Sequence, residues 1–187
     1  MGCDFMINID VWLFQAINGL AGKSMFWDNF MYYFSMISPY LFVILLIFAY
    51  VYYNDPMIFV KALFVIALCF LFKGLLGLFF FRDRPFIALK NVNFIGNHDL
   101  TSSMPSGHTM FSFGAFFPAL EFKNWLTWLI LFLAVLTAFS RVYLGYHYPS
   151  DIIVGILVSG FFYLIVYYIF EHPFVKKKVD KIRNKYK

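Results

Sequence analysis

The chain has 187 residues, 62% of them hydrophobic and 13% charged, with a mean hydropathy of +0.74. Soluble domains carry about 25% charged residues, and a domain this small leaves too much surface exposed to hide so much apolar area from water. Composition therefore excludes an ordinary soluble domain and points to the bilayer as solvent; with the helical segments taken below, the expected fold is an all-α, polytopic membrane helix bundle of five or six transmembrane helices.

The net charge of +5 is unevenly placed. Of the fifteen Lys and Arg residues, seven lie in the last twelve positions: Lys176, Lys177, Lys178, Lys181, Arg183, Lys185 and Lys187. A basic cluster directly after an apolar helix marks the cytoplasmic side, and it can also meet anionic head groups. With Tyr186 as its one aromatic, the run is not a nucleic-acid surface. Two cysteines, Cys3 and Cys69, suggest no disulfide framework. Residues 1–187 are thus expected to form one integral-membrane domain, with interfacial helices over 1–35 and a cytoplasmic tail over 172–187.

In chain order, Asp4 to Leu20 is a short amphipathic stretch that either lies in the interface or spans. Gly22-Lys23-Ser24 breaks it. Met25 to Ser38 reads as an aromatic surface helix leading inward, and Pro39 to Tyr53 as a transmembrane helix. After the turn Asn54-Asp55-Pro56, Met57 to Phe81 forms a second long apolar helix, with Lys61 near one end and Lys73 deep inside. Arg82 to Met104 is a polar loop. Three further helices are expected over Ser106–Leu120, Trp125–Leu144 and Ser150–Phe170. A cytoplasmic tail then puts the Arg82–Met104 loop and the starts of the third and fifth helices on the extracytoplasmic face.

Ionisable residues inside membrane segments are costly and mark function. Here they form three clusters on one predicted side. The first is Lys73 with Arg82-Asp83-Arg84-Pro85. The second is Pro105-Ser106-Gly107-His108, and the third is Ser140-Arg141 with His147 and Asp151. Guanidinium forks and the N–H groups of a helix start suit phosphate. Arg84 and Arg141 can hold the equatorial oxygens of a transferring phosphoryl group. His147 and Asp151 are four apart. If both are helical, the carboxylate can accept from one imidazole nitrogen and leave the other free to attack. His108 can protonate the leaving oxygen and then activate water. This inventory calls for no metal and no other cofactor.

The clusters resemble the signature of the type 2 phosphatidic acid phosphatase superfamily: Lys-x6-Arg-Pro, Pro-Ser-Gly-His, and Ser-Arg-x5-His-x3-Asp. The second motif stands complete at 105–108 and the third at 140–151. The resemblance implies a six-helix bundle and a metal-independent phosphohistidine mechanism. By it, His147 is the nucleophile, His108 the acid/base and Asp151 the orienting carboxylate, while Arg84, Ser106, Gly107 and Arg141 bind phosphate. The first motif departs from the pattern. Gly77 stands seven before Arg84, where the family has Lys. Lys73, one turn earlier, would point the same way from about 6 Å deeper. Lys73 is therefore one candidate phosphate contact and Arg82 its rival.

Among the remaining residues, His98 and His172 read as structural. Tyr143, Tyr146 and Tyr148 read as interfacial aromatics, and Lys90, Asn91 and Asn93 as solvated loop. Gly74 and Gly77 read as helix-packing positions. The Ile-Asn-Gly-Leu segment at 17–20 and Arg82-Asp83-Arg84-Pro85-Phe86 are similar to those of short bacterial polyprenyl-diphosphate phosphatases. That resemblance implies undecaprenyl diphosphate, cleaved to the monophosphate, as substrate. The alternatives are a phosphatidylglycerophosphate or phosphatidic acid phosphatase, a lipid phosphotransferase, and a non-catalytic lipid transporter or scramblase. The implied partners are the lipid phosphate and the membrane itself; oligomeric state is open.

Overall fold

The computed structural model describes residues 2–185 of the protein. Among them are eight helices: α1 (Gly2–Asn18), α2 (Met25–Tyr53), α3 (Pro56–Gly77), α4 (Pro85–Ala88), α5 (Gly107–Ala119), α6 (Trp125–Tyr143), α7 (Pro149–Glu171) and α8 (Pro173–Lys185). The tail residues Tyr186 and Lys187 lie outside the described residues. Helix starts follow local chemistry. Asp55 accepts from the Met57 N–H at 3.0 Å, with Pro56 in the first turn of α3. Asn124 accepts from the N–H groups of Leu126 and Thr127 at the start of α6.

The protein is a polytopic helical membrane protein. Four helices, α2, α3, α6 and α7, are long and apolar enough to cross a bilayer. Their outward residues are large and apolar, among them Ile44, Val51, Leu71, Phe132, Leu157 and Phe161. Charges go inward instead: Lys61, Arg84, Arg141 and Asp151 are all buried. α5 is shorter than these four and is wrapped by them. At about 1.5 Å per residue its 13 residues cover roughly 20 Å, short of a ~30 Å hydrocarbon core. It sits among α2, α3, α6 and α7, and most of its side chains are buried by protein. Hydropathy does not distinguish a helix wrapped by protein from one wrapped by lipid.

Two boundaries differ from the sequence reading. Met25–Ser38 and Pro39–Tyr53 are one helix, α2, of 29 residues. An interior proline withholds the N–H that would bond the carbonyl four residues back. That carbonyl belongs to Ser35, and the Ser38 hydroxyl donates to it at 3.0 Å, so the helix runs on. α3 stops at Gly77 instead of Phe81, and Leu78 and Phe79 stand exposed beyond it.

Close helix packing also falls elsewhere than expected. A Cβ added at Gly74 or Gly77 would meet nothing within 4 Å. At Gly114 it would lie 2.9 Å from Ile66 of α3, and at Gly155 3.2 Å from Thr109 and 3.3 Å from the Ser106 carbonyl oxygen. These two glycines let α3 and α7 close on α5. A cluster including Phe14, Phe42, Leu46, Phe113, Leu126 and Ile130 fills the bundle. The clustered ionisable residues are gathered at the end where α5 and α7 begin and α6 finishes. The 23 residues of α7 carry the chain to the other end, where α8 starts.

Candidate active site

The five-residue gap between Arg141 and His147 has a structural cause. α6 ends in a Schellman motif, in which Gly145 has φ +83°. The Tyr146 N–H reaches the Arg141 carbonyl at 3.0 Å and the Gly145 N–H that of Val142 at 3.1 Å. The His147 N–H also bonds the Arg141 carbonyl, at 3.3 Å. The chain therefore folds His147 back over the end of the helix that carries Arg141.

His147 is buried, and its Nε2 lies 3.1 Å from Nη1 of Arg84. A guanidinium can only donate. Nε2 therefore presents its lone pair, and the ring proton resides on Nδ1. Nδ1 faces the Ser103 hydroxyl at 3.4 Å and Asp151 Oδ2 at 3.6 Å. Burial holds the His147 imidazolium well below its ordinary range, with Arg141 and Arg84 adding to the effect. The ring is neutral at neutral pH.

The expected helical pairing of His147 with Asp151 takes a different form. α7 begins at Pro149, so His147 lies ahead of the helix and the two do not share a helical face. Asp151 Oδ2 instead accepts from the Tyr148 N–H at 2.9 Å, capping α7, and from the Ser103 hydroxyl at 2.5 Å. Ser103, wholly buried beside both ring and carboxylate, escaped the sequence reading. It lies in an aperiodic loop outside the three motifs.

All five N–H donors of Arg84 are directed at protein. Nε and Nη2 bond the Thr101 carbonyl and hydroxyl, each at 2.9 Å, and Nη2 also faces the Ser102 carbonyl at 3.3 Å. Nη1 serves the Tyr146 carbonyl at 3.0 Å as well as His147. Arg141 is looser. Its Nη1 donates to the Ser35 hydroxyl and its Nη2 to His98 Nε2, both at 2.6 Å, while its buried Nε has no hydrogen-bond partner among the described residues. Its guanidinium also lies 4.4 Å over the Tyr146 ring.

Two readings of the polar loop and the tyrosines change here. His98 is part of the site: its ring is 5.9 Å from that of His147. Its pKa is pushed down to about 4 by burial, then by Arg141 and Arg84. Tyr143, Tyr146 and Tyr148 are buried instead of interfacial, because the Schellman turn draws them inside. Asn93 bonds Asn18 through both its backbone and its side chain, which ties the loop to α1.

Two adjoining cavities, of about 260 and 320 Å³, share His98 and His108 as walls. Lys73, Arg84, Gly107 and His147 line the first and Arg141 the second. Lys73 reaches the α5 start, since a Cβ at Gly107 would lie 3.3 Å from its Nζ. Arg82 points elsewhere, to Asp10 and Asp151. Ser106 is committed: its N–H bonds the Asp151 carbonyl at 3.2 Å and its hydroxyl accepts from Thr109 at 3.0 Å. At the α5 start, a helix leaves its first N–H groups outside the intrahelical ladder. The arrangement brings together the His147 lone pair, two further imidazoles and three cations around two adjoining cavities.

Comparison with known proteins follows the same residues. The family profile described as PAP2 superfamily matches residues 58–174. A putative undecaprenyl-diphosphatase of Escherichia coli, YbjG, is 34% identical over 102 residues, which are 54% of this chain and 50% of that protein. The lipid A 4'-phosphatase of Bacteroides thetaiotaomicron is 28% identical over 182 residues, covering 89% of this chain and 79% of that one. The crystal structure of LpxE from Aquifex aeolicus superposes with a TM-score of 0.73 at 26% identity, covering 83% of this chain and 93% of that one. Relatives at 32% identity or more are matched over only 38% to 50% of their own length. The profile spans more than half the chain and takes in every residue around the two cavities except Pro39 and Met36, so the chain belongs to the PAP2 superfamily.

Proposed function

We propose that the protein is a metal-independent lipid-phosphate phosphatase that works through a phosphohistidine on Nε2 of His147, with undecaprenyl diphosphate as its substrate. The observation that carries this reading is the Nε2 lone pair, held toward Arg84 on a neutral ring. In the first step that lone pair attacks phosphorus, and the bond from phosphorus to the leaving oxygen breaks. His108, on the wall of the same cavity, is neutral without a bound anion, its pKa pushed down to about 2 by burial and then by Arg141; it takes up a proton together with the anionic substrate and gives that proton to the leaving oxygen. In the second step neutral His108 takes a proton from water. The water oxygen then displaces His147 from phosphorus and phosphate leaves.

Lys73, Arg84 and Arg141 supply the positive field that a transferring phosphoryl group needs. Once Nε2 is phosphorylated, the Arg84 Nη1 donor that faced it can turn to a phosphoryl oxygen. The unpartnered Arg141 Nε offers another donor. Gly107 leaves room for Lys73 at the helix start. The apolar walls of the first cavity, Pro39, Phe70 and Phe111, suit a substrate whose phosphate is joined to a hydrocarbon chain. The basic tail supports an extracytoplasmic site, because it follows α7 at the opposite end of the bundle.

The test is phosphate release by purified protein on undecaprenyl diphosphate, phosphatidylglycerophosphate, phosphatidic acid and lipid A. The prenyl diphosphate is expected to turn over fastest, and His147→Ala to abolish release on all four. Faster release from lipid A would favour the second reading, a lipid A phosphatase, which the long match to the Bacteroides relative supports. Turnover retained in His147→Ala would sink the phosphohistidine.

A further inference from the structure

Arg82 is bound on the side of Asp151 that faces away from His147. Its Nη1 donates to Asp151 Oδ1 at 2.6 Å and to the Ser150 hydroxyl at 2.7 Å. Its Nη2 donates to Asp10 Oδ2 at 2.6 Å, and its guanidinium lies 4.0 Å over the Tyr148 ring. Asp10 comes from α1, far from every motif in sequence. It accepts the Ser150 N–H at 2.9 Å and the Ser150 hydroxyl at 2.5 Å. Asp10 is 9% exposed and Asp151 fully buried, while the Arg82 side chain that joins them is 24% exposed, so the bond to Asp151 is the better shielded of the two from competing water.

The two oxygens of Asp151 are thereby divided. Oδ1 is bound by Arg82, and Oδ2 faces Ser103, the Tyr148 N–H and the His147 ring. One guanidinium charge is shared between two carboxylates, which leaves the Asp10–Arg82–Asp151 trio with a net charge of −1. Were Arg82 bound to Asp151 alone, it would neutralise the carboxylate behind the nucleophile. A histidine becomes imidazolium-like when phosphorylated, and negative charge behind it stabilises that state.

We propose that Asp10 is a positioning residue for phosphoryl transfer. By sharing Arg82 it fixes Asp151 from behind and preserves the negative charge that faces His147. A plain tether for α1 would need neither the second carboxylate nor the link to Asp151. The proposal rests on the phosphohistidine reading above.

Steady-state phosphate release is measured on undecaprenyl diphosphate, or on whichever lipid of the panel turns over faster. The variants are Asp10→Asn, Asp10→Glu, Arg82→Gln and the double variant Asp10→Asn/Arg82→Gln, with His147→Ala as reference. Asp10→Asn is expected to lower kcat about 10- to 100-fold, the scale of small misplacements near reacting groups, with KM changed less than about twofold. Asp10→Glu restores part of the loss. The double variant loses less than the product of the single losses, because the two residues act as one unit. Wild-type kcat in Asp10→Asn beside an inactive His147→Ala would overturn this inference alone. So would strictly multiplicative losses. Turnover in His147→Ala would overturn the underlying mechanism instead. If Asp10→Asn fails to fold, Ser150→Ala, which removes another Asp10 partner, is expected to give a smaller kcat loss of the same kind, and an unchanged kcat there counts against the proposal.

Discussion

The Ser103 hydroxyl donates to Asp151 Oδ2 at 2.5 Å, and the same hydroxyl lies 3.4 Å from Nδ1 of His147. It lies beside the 3.6 Å approach of Nδ1 to that same carboxylate oxygen and touches both groups. Ser103→Ala should leave the protein folded and lower kcat about fivefold, with KM little changed, since a modest hydrogen bond of about 1 kcal/mol is lost beside His147, the proposed nucleophile. Kinetics in detergent check this. An unchanged kcat would show that Asp151 orients His147 without the serine.

Arg84→Lys should cost far more than a conservative exchange. A lysine has three donors on a single nitrogen and cannot hold Thr101, Ser102, Tyr146 and His147 in one plane. The expected loss in kcat/KM is at least about 100-fold. A fall in melting temperature should accompany it, because loop 101–102 loses its anchor.

His98 ties stability to pH. Its folded pKa is about 4, against an ordinary value near 6.5. Between these values the unfolded chain binds a proton that the folded chain refuses. Stability from this group is thus fully present above pH 6.5 and is lost as pH falls toward 4. Melting temperature measured across that window should drop, and His98→Gln, an uncharged acceptor for Arg141, should flatten the drop. An identical profile in the variant would refute the assignment.

The glycines offer a paired stability test. Gly74→Ala meets open space in a helix interior and should be neutral or stabilising by about 0.5–1 kcal/mol. Gly155→Ala would press on the Ser106 carbonyl and on Thr109, and should destabilise by about 1–3 kcal/mol. Thermal melts of the two variants should move in opposite directions or differ clearly in size.

Much of the arrangement was readable in advance because Arg84, His108, Arg141, His147 and Asp151 stand at or beside helix ends with fixed spacings, and the structure gathers them at one end of the bundle. The Schellman turn at Gly145 explains one spacing and the capping of α7 by Asp151 another. His98 and Ser103 were not readable, since both lie in a loop with neither periodicity nor motif. Asp10 was invisible for a different reason: its partners Arg82 and Ser150 are 72 and 140 residues away along the chain. The register argument for Lys73 placed its side chain on the cavity side, where it lies, although its premise fails, because α3 ends at Gly77 and no helical register carries on to Arg84.

Ser35 links the proline step in α2 to the buried Arg141. Its carbonyl, deprived of a backbone partner by Pro39, is taken by Ser38, and its hydroxyl is taken by Arg141. A single small residue therefore answers to a helix defect and to a buried cation at once. Threonine keeps both oxygens, whereas alanine keeps the carbonyl and strands the guanidinium. Positions 35, 38, 39 and 141 thus share one small set of bonds, so that losing the Ser35 hydroxyl reaches Arg141 and losing the Ser38 hydroxyl reaches the proline step in α2.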